Sequence, residues 1–316
     1  MSTNPIKTAR SSTPVLTVFT PTYNRAHTLH RVFESLVTQT YQDFEWIVVD
    51  DGSTDGTPQL IKNWQKIASF PIIYSLQPNS GKHIAFNKGV NLANGSLFLP
   101  IDSDDAFLPQ SLEKMLCWWQ LIPDAQRMQF TGVVTLCQFE NGEVCGDLFA
   151  SHPLDTNALD LRYRYKKRGE TWGFHRTDIL KKYPFPENNA VRFVPENIVW
   201  DAIATEYKIR CINEPLRIFH QDSGNQLTKE NPQKKALVKD YFLQMLSRDL
   251  RYFFDDPQTF IKWAVLYARY SLHAGDTEFM NYAKFNSIWA YLLCGLSAAP
   301  GFLVFAKDNI SIWFKK

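Results

Sequence analysis

The chain has 316 residues, 45% of them hydrophobic, which is enough for one large core or for a domain with an appendage. Charged residues make up 21% and the formal net charge is +2, so no strong overall field favours nucleic acid as a partner. The five cysteines are odd in number and show no CxxC spacing, which argues against a disulfide framework or a zinc site and fits a cytoplasmic protein.

Residues 1–13 are polar and rich in Ser and Thr, without an apolar run that would serve as a secretion signal, and we predict a disordered lead-in there. From residue 14 onward, short β-branched runs alternate with amphipathic helical stretches. This alternation predicts βαβ units and a mainly parallel sheet flanked by helices. The first four predicted strands are Val15–Thr20, Phe44–Val49, Ile72–Leu76 and Leu97–Ile101.

Polar residues follow three of these strands at the point where each strand ends. Pro21–Arg25 comes after the first strand, Asp50 and Asp51 come after the second, and Asp102–Asp105 comes after the fourth. Because the carboxyl ends of parallel strands share one edge, where α/β folds bind ligands, we expect these residues to form a site. Asn24 is predicted to cap the helix that follows the first strand.

The acidic run Asp102-Ser103-Asp104-Asp105 directly follows an apolar strand. Clustered carboxylates repel one another unless a cation or several hydrogen-bond donors compensate. Hard divalent cations such as Mg²⁺ and Mn²⁺ prefer oxygen ligands, and they usually take one or two carboxylates together with substrate phosphates and water. The run therefore predicts a divalent metal site, with the cap of a helix N-terminus as the alternative interpretation.

Four later features each allow two interpretations. Residues 154–170 are basic and polar and are predicted to be a loop, and its basic part, Arg162–Arg168, would either bind a diphosphate or anionic lipid or simply face solvent. Trp172 would either stack on a sugar ring or lie in the core. Glu196, beside an apolar helix face, is either a first-turn glutamate favoured by the helix dipole or a carboxylate suited to proton abstraction. His220, at a strand end, is a metal ligand or a hydrogen-bonded structural residue.

Four motifs occur in a fixed order: Phe19-Thr-Pro-Thr-Tyr-Asn-Arg25, Val48-Val-Asp-Asp-Gly-Ser-Thr-Asp55, Asn79-Ser-Gly-Lys82 with Asn87, and Asp102-Ser-Asp-Asp105. Together they resemble the GT-A-fold glycosyltransferases of family 2, a large group of inverting enzymes. The resemblance runs from about residue 14 to residue 222. It implies a GT-A (Rossmann-like) α/β domain, which we place at residues 14–226.

The resemblance also implies roles for individual residues. The catalytic base would be Glu196, four residues before Trp200, where family members carry a Glu-Asp pair. Pro195 replaces the first member of that pair, and Asp201 is the alternative base. The metal, Mn²⁺ or Mg²⁺, would be held by Asp102, Asp104 and His220. The residues that would bind the nucleotide-diphosphate sugar are Pro21, Thr22, Tyr23, Arg25, Asp51, Lys82, Asp102 and Ser103.

The activity that the resemblance implies is transfer of a sugar from a nucleotide-diphosphate sugar, UDP being the nucleotide most frequent in the family, to a hydroxyl of a glycan or lipid-linked acceptor. A sugar-phosphate nucleotidyltransferase is one alternative, but it would carry a Gly-rich basic loop after the first strand, which Pro21–Arg25 is not. A non-catalytic glycan-binding or scaffold protein that retains the fold is the other.

Residues 227–316 are predicted to be a helical C-terminal region rich in aromatic side chains. Within it, residues 288–306 carry no charge and approach the length of about 20 residues that spans a bilayer. Because Gly295, Pro300 and Gly301 interrupt this stretch, we expect a buried hairpin or a membrane-surface segment rather than a spanning helix. The sequence thus predicts a cytoplasmic protein, alternatively one that is peripheral on the inner face of the membrane.

Overall fold

The structure is a computed structural model that describes residues 14–187, 194–221 and 239–313. The predicted lead-in, residues 1–13, and the predicted domain boundary near residue 226 lie outside the described residues. The described chain groups into two compact units. The first comprises residues 14–157, 167–185 and 202–221, and the second comprises residues 158–166, 186–187, 194–201 and 239–313.

The first unit contains a nine-stranded mixed sheet. Its strands are β1 (Leu16–Thr22), β2 (Phe44–Asp50), β3 (Ile72–Leu76), β4 (Leu97–Pro100), β5 (Ala106–Phe107), β6 (Phe130–Gln138), β7 (Leu154–Thr156), β8 (Thr171–Arg176) and β9 (Lys208–Ile218). Their order is β3-β2-β1-β4-β8-β6-β9-β5, and β7 pairs with β9. The strands β3, β2, β1 and β4 run parallel, so the predicted α/β fold with parallel βαβ units is confirmed.

The described residues of both units also form helices. In chain order they are α1 (His30–Val37), α2 (Thr57–Ile67), α3 (Lys82–Leu92), α4 (Ser111–Gln120), α5 (Asp124–Arg127), α6 (Ala158–Tyr163), α7 (Thr177–Lys182), α8 (Asn197–Ile203), α9 (Lys239–Asp249), α10 (Pro257–His273) and α11 (Ile288–Trp313). Short 3₁₀ turns lie at Leu250–Tyr252 and Tyr282–Lys284.

The core of the first unit lies between the sheet and its amphipathic helices. Val32 and Leu36, one turn apart on α1, are both fully buried against the sheet. Phe33 on the same helix stacks on Trp64 of α2, with ring centroids 4.5 Å apart. Burial of such a side chain stabilises the fold by roughly 1.5–3 kcal/mol.

The prediction of a loop over residues 154–170 is wrong for residues 154–163, whereas residues 164–170 form no helix or strand. Residues 154–163 contain β7 and α6, and the α6 residues Leu159, Leu161 and Tyr163 are buried. Within the second unit, the ring of Tyr163 stacks on Tyr252 and Phe260. A helix of six residues is too short to show the helical repeat of apolar residues clearly. The arginines and lysines around it make the segment polar on average, although three of its apolar residues are buried.

The predicted helical character of the C-terminal region is confirmed over the described residues 239–313. The expected hairpin is wrong, because α11 is one helix of 26 residues with Pro300 inside it. A Cβ added at Gly301 would lie only 2.6 Å from the Cβ of Ala268, so this glycine allows α10 and α11 to approach closely. By length and composition alone, the helix over residues 288–308 is long and apolar enough to cross a membrane. In its most apolar stretch of 18 residues, 22% is buried.

Candidate active site

The structure confirms that the three predicted strand ends meet. Thr22, the last residue of β1, is in register with Asp50, the last residue of β2, and the Asp51 amide donates to the Thr22 carbonyl at 2.8 Å. On the other side of β1, the Ile101 amide donates to the Phe19 carbonyl at 2.8 Å. The residues that follow β1, β2 and β4 therefore share one edge of the sheet. Pro21, near the end of β1, and Ser103, after β4, are both buried.

Asn24 has a different role from the predicted helix cap. Its backbone has a φ of 53°, and α1 begins only at His30 without a side-chain cap. The Asn24 side chain instead accepts from the Thr54 amide at 2.8 Å, while its own amide donates to the Ser53 hydroxyl at 2.8 Å. These bonds tie the loop after β1 to the loop after β2. Beside this junction the ring of Tyr23 is 48% exposed, as a ring that stacks on a nucleotide base would need to be.

The carboxylate of Asp51 is buried and organises the segment that leads into α3. Its Oδ1 accepts from Gln77 Nε2 and from the Ser80 amide, and its Oδ2 accepts from the Gly81 amide, each at 2.8 Å. A carboxylate has about four acceptor positions, so one position on Oδ2 is left over by these three bonds. Gly81 has a φ of 103°, a conformation that favours glycine.

Lys82, the first residue of α3, contacts the acidic run. Its Nζ lies 2.7 Å from Oδ1 of Asp102, and the two side chains are 36% and 41% exposed. Partial burial opposes the ionisation of Asp102, but the positive charges of Lys82, Arg217 and Arg25 outweigh it and lower the pKa of Asp102 to about 2. Asp102 is therefore a carboxylate at neutral pH.

The two other carboxylates of the run also lie beside cations. Arg25 NH1 is 4.0 Å from Oδ2 of Asp104, and Arg31 donates to the Asp104 carbonyl at 3.2 Å. Arg217, in β9, lies 2.7 Å from Oδ2 of the buried Asp105. Burial, with the nearby negative charges of Asp102 and Asp104, raises the pKa of Asp105 to about 7 despite Arg217.

Sequence reasoning missed the pairing of Arg217 with Asp105. The available signal was a charged residue between the apolar Leu216 and Ile218 near the end of β9, because a buried arginine requires a carboxylate or equivalent acceptors. It gave no indication of which acceptor was involved.

His220 lies next to this acidic run. Its amide donates to Oδ1 of Asp105 at 3.1 Å, and its Nε2 lies 3.1 Å from Glu140. The Nδ1 atom is buried and has no hydrogen-bond partner among the residues that the structure describes. Over residues 14–187, 194–221 and 239–313, no three His, Cys, Asp or Glu side chains form a ready metal-binding group. The role of His220 as a third ligand stays a prediction.

The carboxylates of Asp102 and Asp104 fit a divalent cation of the Mg²⁺ or Mn²⁺ type. Both belong to one short loop, both are partly exposed, and both already lie beside positive groups. Two carboxylates are what such a cation takes from a protein when phosphates and water supply its other ligands. The Thr22 hydroxyl, buried and without a partner in the described part of the chain, is a further polar group at this edge of the sheet.

The two candidates for the base belong to the second unit. Glu196 is exposed, immediately before α8, and its carbonyl accepts from the Trp200 amide as the first turn of the helix requires. Asp201 is fully buried and pairs with Arg162 and with Arg248. A carboxylate held in this way is not accessible to an acceptor hydroxyl. The position of Asp201 is therefore that of a structural residue rather than of a base.

Trp172 belongs to the core. It is buried, its indole N–H donates to the Pro100 carbonyl, and its ring packs edge-on against Phe107 with centroids 5.2 Å apart. The interpretation of Trp172 as a stacking surface for a sugar ring is therefore wrong. Its contact with Pro100 instead supports the strand end from which the acidic run emerges.

Comparison with solved structures places the fold in a known class. The chain resembles S. aureus TarS 1–349 in complex with UDP-GlcNAc, with a TM-score of 0.64 and 17% sequence identity over 95% of this chain and 92% of that one. It also resembles the mannosyltransferase PcManGT of Pyrobaculum calidifontis, in complex with GDP-Man and Mn²⁺, with a TM-score of 0.53 and 18% identity over 97% and 86% of the chains. The first unit with its strand-end carboxylates thus has the GT-A glycosyltransferase fold.

Comparison of sequences gives a family match over part of the chain. Residues 17–133 match the family model described as glycosyl transferase family 2. TuaG of Bacillus subtilis (strain 168), named as a glycosyltransferase of teichuronic acid biosynthesis, is 33% identical over 125 residues, which are 40% of this chain and 49% of TuaG. Over residues 17–133 the chain is therefore similar to glycosyl transferase family 2. It spans about half the length of the first curated relatives that it matches.

Proposed function

We propose that the chain is a metal-dependent inverting glycosyltransferase that moves a sugar from a nucleotide-diphosphate sugar, with UDP as the nucleotide, to a hydroxyl of a glycan or lipid-linked acceptor. The observation that carries this proposal is the arrangement at the sheet edge, where the Asp51 carboxylate fixes the segment before Lys82 and the Lys82 ammonium reaches Asp102. Both solved structures named above hold nucleotide sugars, UDP-GlcNAc in one and GDP-Man in the other, which supports a donor of this class.

In this proposal, each residue of the first unit has a defined task. Tyr23 stacks on the nucleotide base, and the remaining acceptor position of Asp51 receives a base or ribose donor. Pro21, Thr22 and Ser103 line the donor site, while Arg25 and Lys82 face the diphosphate. Asp102 and Asp104, with His220 as the third ligand, hold Mn²⁺ or Mg²⁺, which when bound supplies charge neutralisation for the departing diphosphate.

Glu196 is proposed as the general base that takes the proton from the acceptor hydroxyl. Its support is the sequence motif, with Glu196 four residues before Trp200, and its exposure in the second unit. Inverting transfer needs such a base on the attacking oxygen, and removing one typically lowers the rate by about 10²- to 10⁴-fold.

The test is to incubate purified protein with Mn²⁺ and a panel of nucleotide sugars and to measure nucleotide release with and without acceptor glycans. We expect release from a UDP-sugar that disappears with a chelator. The Glu196→Gln variant should keep its donor affinity and lose transfer, whereas Glu206→Gln, an exposed glutamate after α8, should keep both. If folded protein binds and cleaves no donor, the non-catalytic scaffold is favoured. If Glu196→Gln turns over normally, Glu196 is not the base.

We also propose that the protein works in the cytoplasm, attached to the inner face of the membrane through α11. The support is an exposed apolar surface on this helix, formed by Ile288, Trp289, Leu292, Leu296, Phe302 and Leu303. A helix of this kind binds in the interfacial plane when its apolar side chains reach the acyl region. This attachment would hold the enzyme close to a lipid-linked acceptor.

A further inference from the structure

The contact between Lys82 and Asp102 joins a cation directly to a carboxylate that is proposed to hold a divalent metal. Its N–O distance of 2.7 Å is that of a charge-assisted hydrogen bond. As long as this contact persists, one oxygen of Asp102 is engaged by an ammonium group. A dication that approaches Asp102 meets a positive charge at the ligand itself.

The main chain at Lys82 is positioned by hydrogen bonds of the residues just before it, whereas its side chain is flexible. Asp51 receives hydrogen bonds from the Ser80 and Gly81 amides, and Gln77 adds a third. The residue after Gly81 is Lys82, where α3 begins. The segment that presents the ammonium to Asp102 is thus held by a buried carboxylate of the neighbouring strand end.

The three carboxylates of the acidic run are matched by three cations, which differ in how easily they can move. Arg217 is buried beside Asp105, and Arg25 lies 4.0 Å from Asp104 with its side chain 17% exposed. Lys82 is the most exposed of the three, and its ammonium sits on a flexible four-carbon stem. Of these cations, Lys82 is the one that can leave with the least disturbance of the fold.

We propose that Lys82 is a removable internal counter-ion for Asp102. It neutralises this carboxylate in the ligand-free protein, and it moves to the phosphate oxygens when a nucleoside diphosphate enters, which frees Asp102 for the divalent cation. This inference rests on the proposed function, since it concerns the same diphosphate and metal site. Its consequence is that the ion binds weakly alone and that ion and nucleotide strengthen each other's binding by the same factor.

The test measures binding of Mn²⁺ alone, without nucleotide or turnover, by titration calorimetry or by the electron paramagnetic resonance signal of the free ion. Lys82→Met keeps most of the length of the side chain and removes its charge, so we expect Mn²⁺ to bind about three- to tenfold more tightly than to the wild type. Lys82→Arg, which retains the charge, should stay within about twofold of the wild type.

Lys88→Met is the matched control. Lys88 lies on the same helix, but its ammonium donates to the Leu76 carbonyl at 2.9 Å. Its removal lowers the net charge by the same amount and should leave Mn²⁺ affinity within about twofold of the wild type. Equal melting temperatures for all the variants would establish that the comparison is between folded proteins.

A second titration measures how strongly UDP increases the affinity for Mn²⁺. This increase should be several-fold smaller in Lys82→Met than in the wild type, because Asp102 is already free. The inference is overturned if Lys82→Met binds Mn²⁺ no more tightly than the wild type, including the case in which neither binds detectably, or if Lys88→Met produces the same gain. Failure of sugar transfer itself would appear separately, as absence of nucleotide release from every donor with the wild-type protein.

Discussion

In the first unit, Asp102 and Asp104 are partly exposed beside Lys82 and Arg25, whereas in the second unit Asp201 and Asp249 are fully buried beside arginines. Both groups pair acidic with basic side chains. Solvent access separates them, because an exposed pair can exchange its partner for a ligand at little cost, while a buried pair cannot be broken without leaving an uncompensated charge. Exposure of an ion pair, rather than its presence, therefore decides whether its carboxylate can exchange its partner for a ligand.

The largest change in stability is expected from removing Asp249, a buried carboxylate that pairs with Arg248. Asp249 accepts two hydrogen bonds from Arg248, at 2.6 and 2.8 Å, and one from the Tyr163 hydroxyl at 3.2 Å. Asp249→Ala should lower the free energy of unfolding by about 3 to 5 kcal/mol, because it leaves the guanidinium group without one of its acceptors. Denaturant unfolding followed by aromatic fluorescence measures the change.

The control for Asp249 is Asp124→Ala, which removes an exposed carboxylate that pairs with Arg127 three residues later. Its expected change is within about 0.5 kcal/mol. Equal losses of stability in the two variants would contradict the comparison, since burial would then make no difference to the strength of an ion pair.

The next effect is expected on activity and concerns Asp104, which lies partly exposed beside Arg25. Asp104→Asn removes a charge that is proposed to bind the metal but keeps the shape of the side chain. We expect the rate of transfer to fall by about 10²- to 10³-fold, the range found when a group that stabilises developing charge is removed. The melting temperature should remain within a few degrees of the wild type. Steady-state nucleotide release over a range of Mn²⁺ concentrations measures the loss, and full turnover would exclude Asp104 as a ligand.

The strand ends could be predicted from the sequence because each depends on a local pattern. An apolar β-branched run followed by Asp50-Asp51 or Asp102–Asp105 places carboxylates at a strand end, and the parallel order brings these ends together. The partners of those carboxylates could not be predicted in this way. Arg217 pairs with Asp105 across more than 100 residues, and the bonds from the Ser80 and Gly81 amides to Asp51 depend on a turn that no pattern specifies.

The hairpin expected within residues 288–306 was wrong for a related reason. A proline inside a helix costs about 3 kcal/mol, which favoured a break at Pro300. In the structure α11 continues through it, and the adjacent Gly301 packs closely against α10 near Ala268. The packing between two helices offsets a local cost, and its contribution cannot be read from the segment that bears the cost.

A smaller effect tests this packing in the second unit with two glycines of the same helix. Gly301→Ala should lower the free energy of unfolding by about 1 to 2 kcal/mol, because the new Cβ would lie 2.6 Å from the Ala268 Cβ. At Gly295 the nearest atom to an added Cβ is the flexible end of Met280, at 3.5 Å. Gly295→Ala should therefore raise the stability by about 0.5 to 1 kcal/mol through helix propensity. Thermal unfolding of both variants should show changes of opposite sign.

The smallest effect on stability is expected where apolar side chains of α11 face solvent. Leu296 is 81% exposed, so Leu296→Gln should change the free energy of unfolding by no more than about 0.5 kcal/mol. If α11 binds the membrane surface, the same change should weaken sedimentation with anionic phospholipid vesicles by about three- to tenfold, because less apolar area enters the bilayer. Leu121→Gln, at an exposed leucine of the first unit, should leave vesicle binding unchanged. If both variants and the wild type fail to sediment with vesicles, the exposed face of α11 does not attach this protein to a lipid surface.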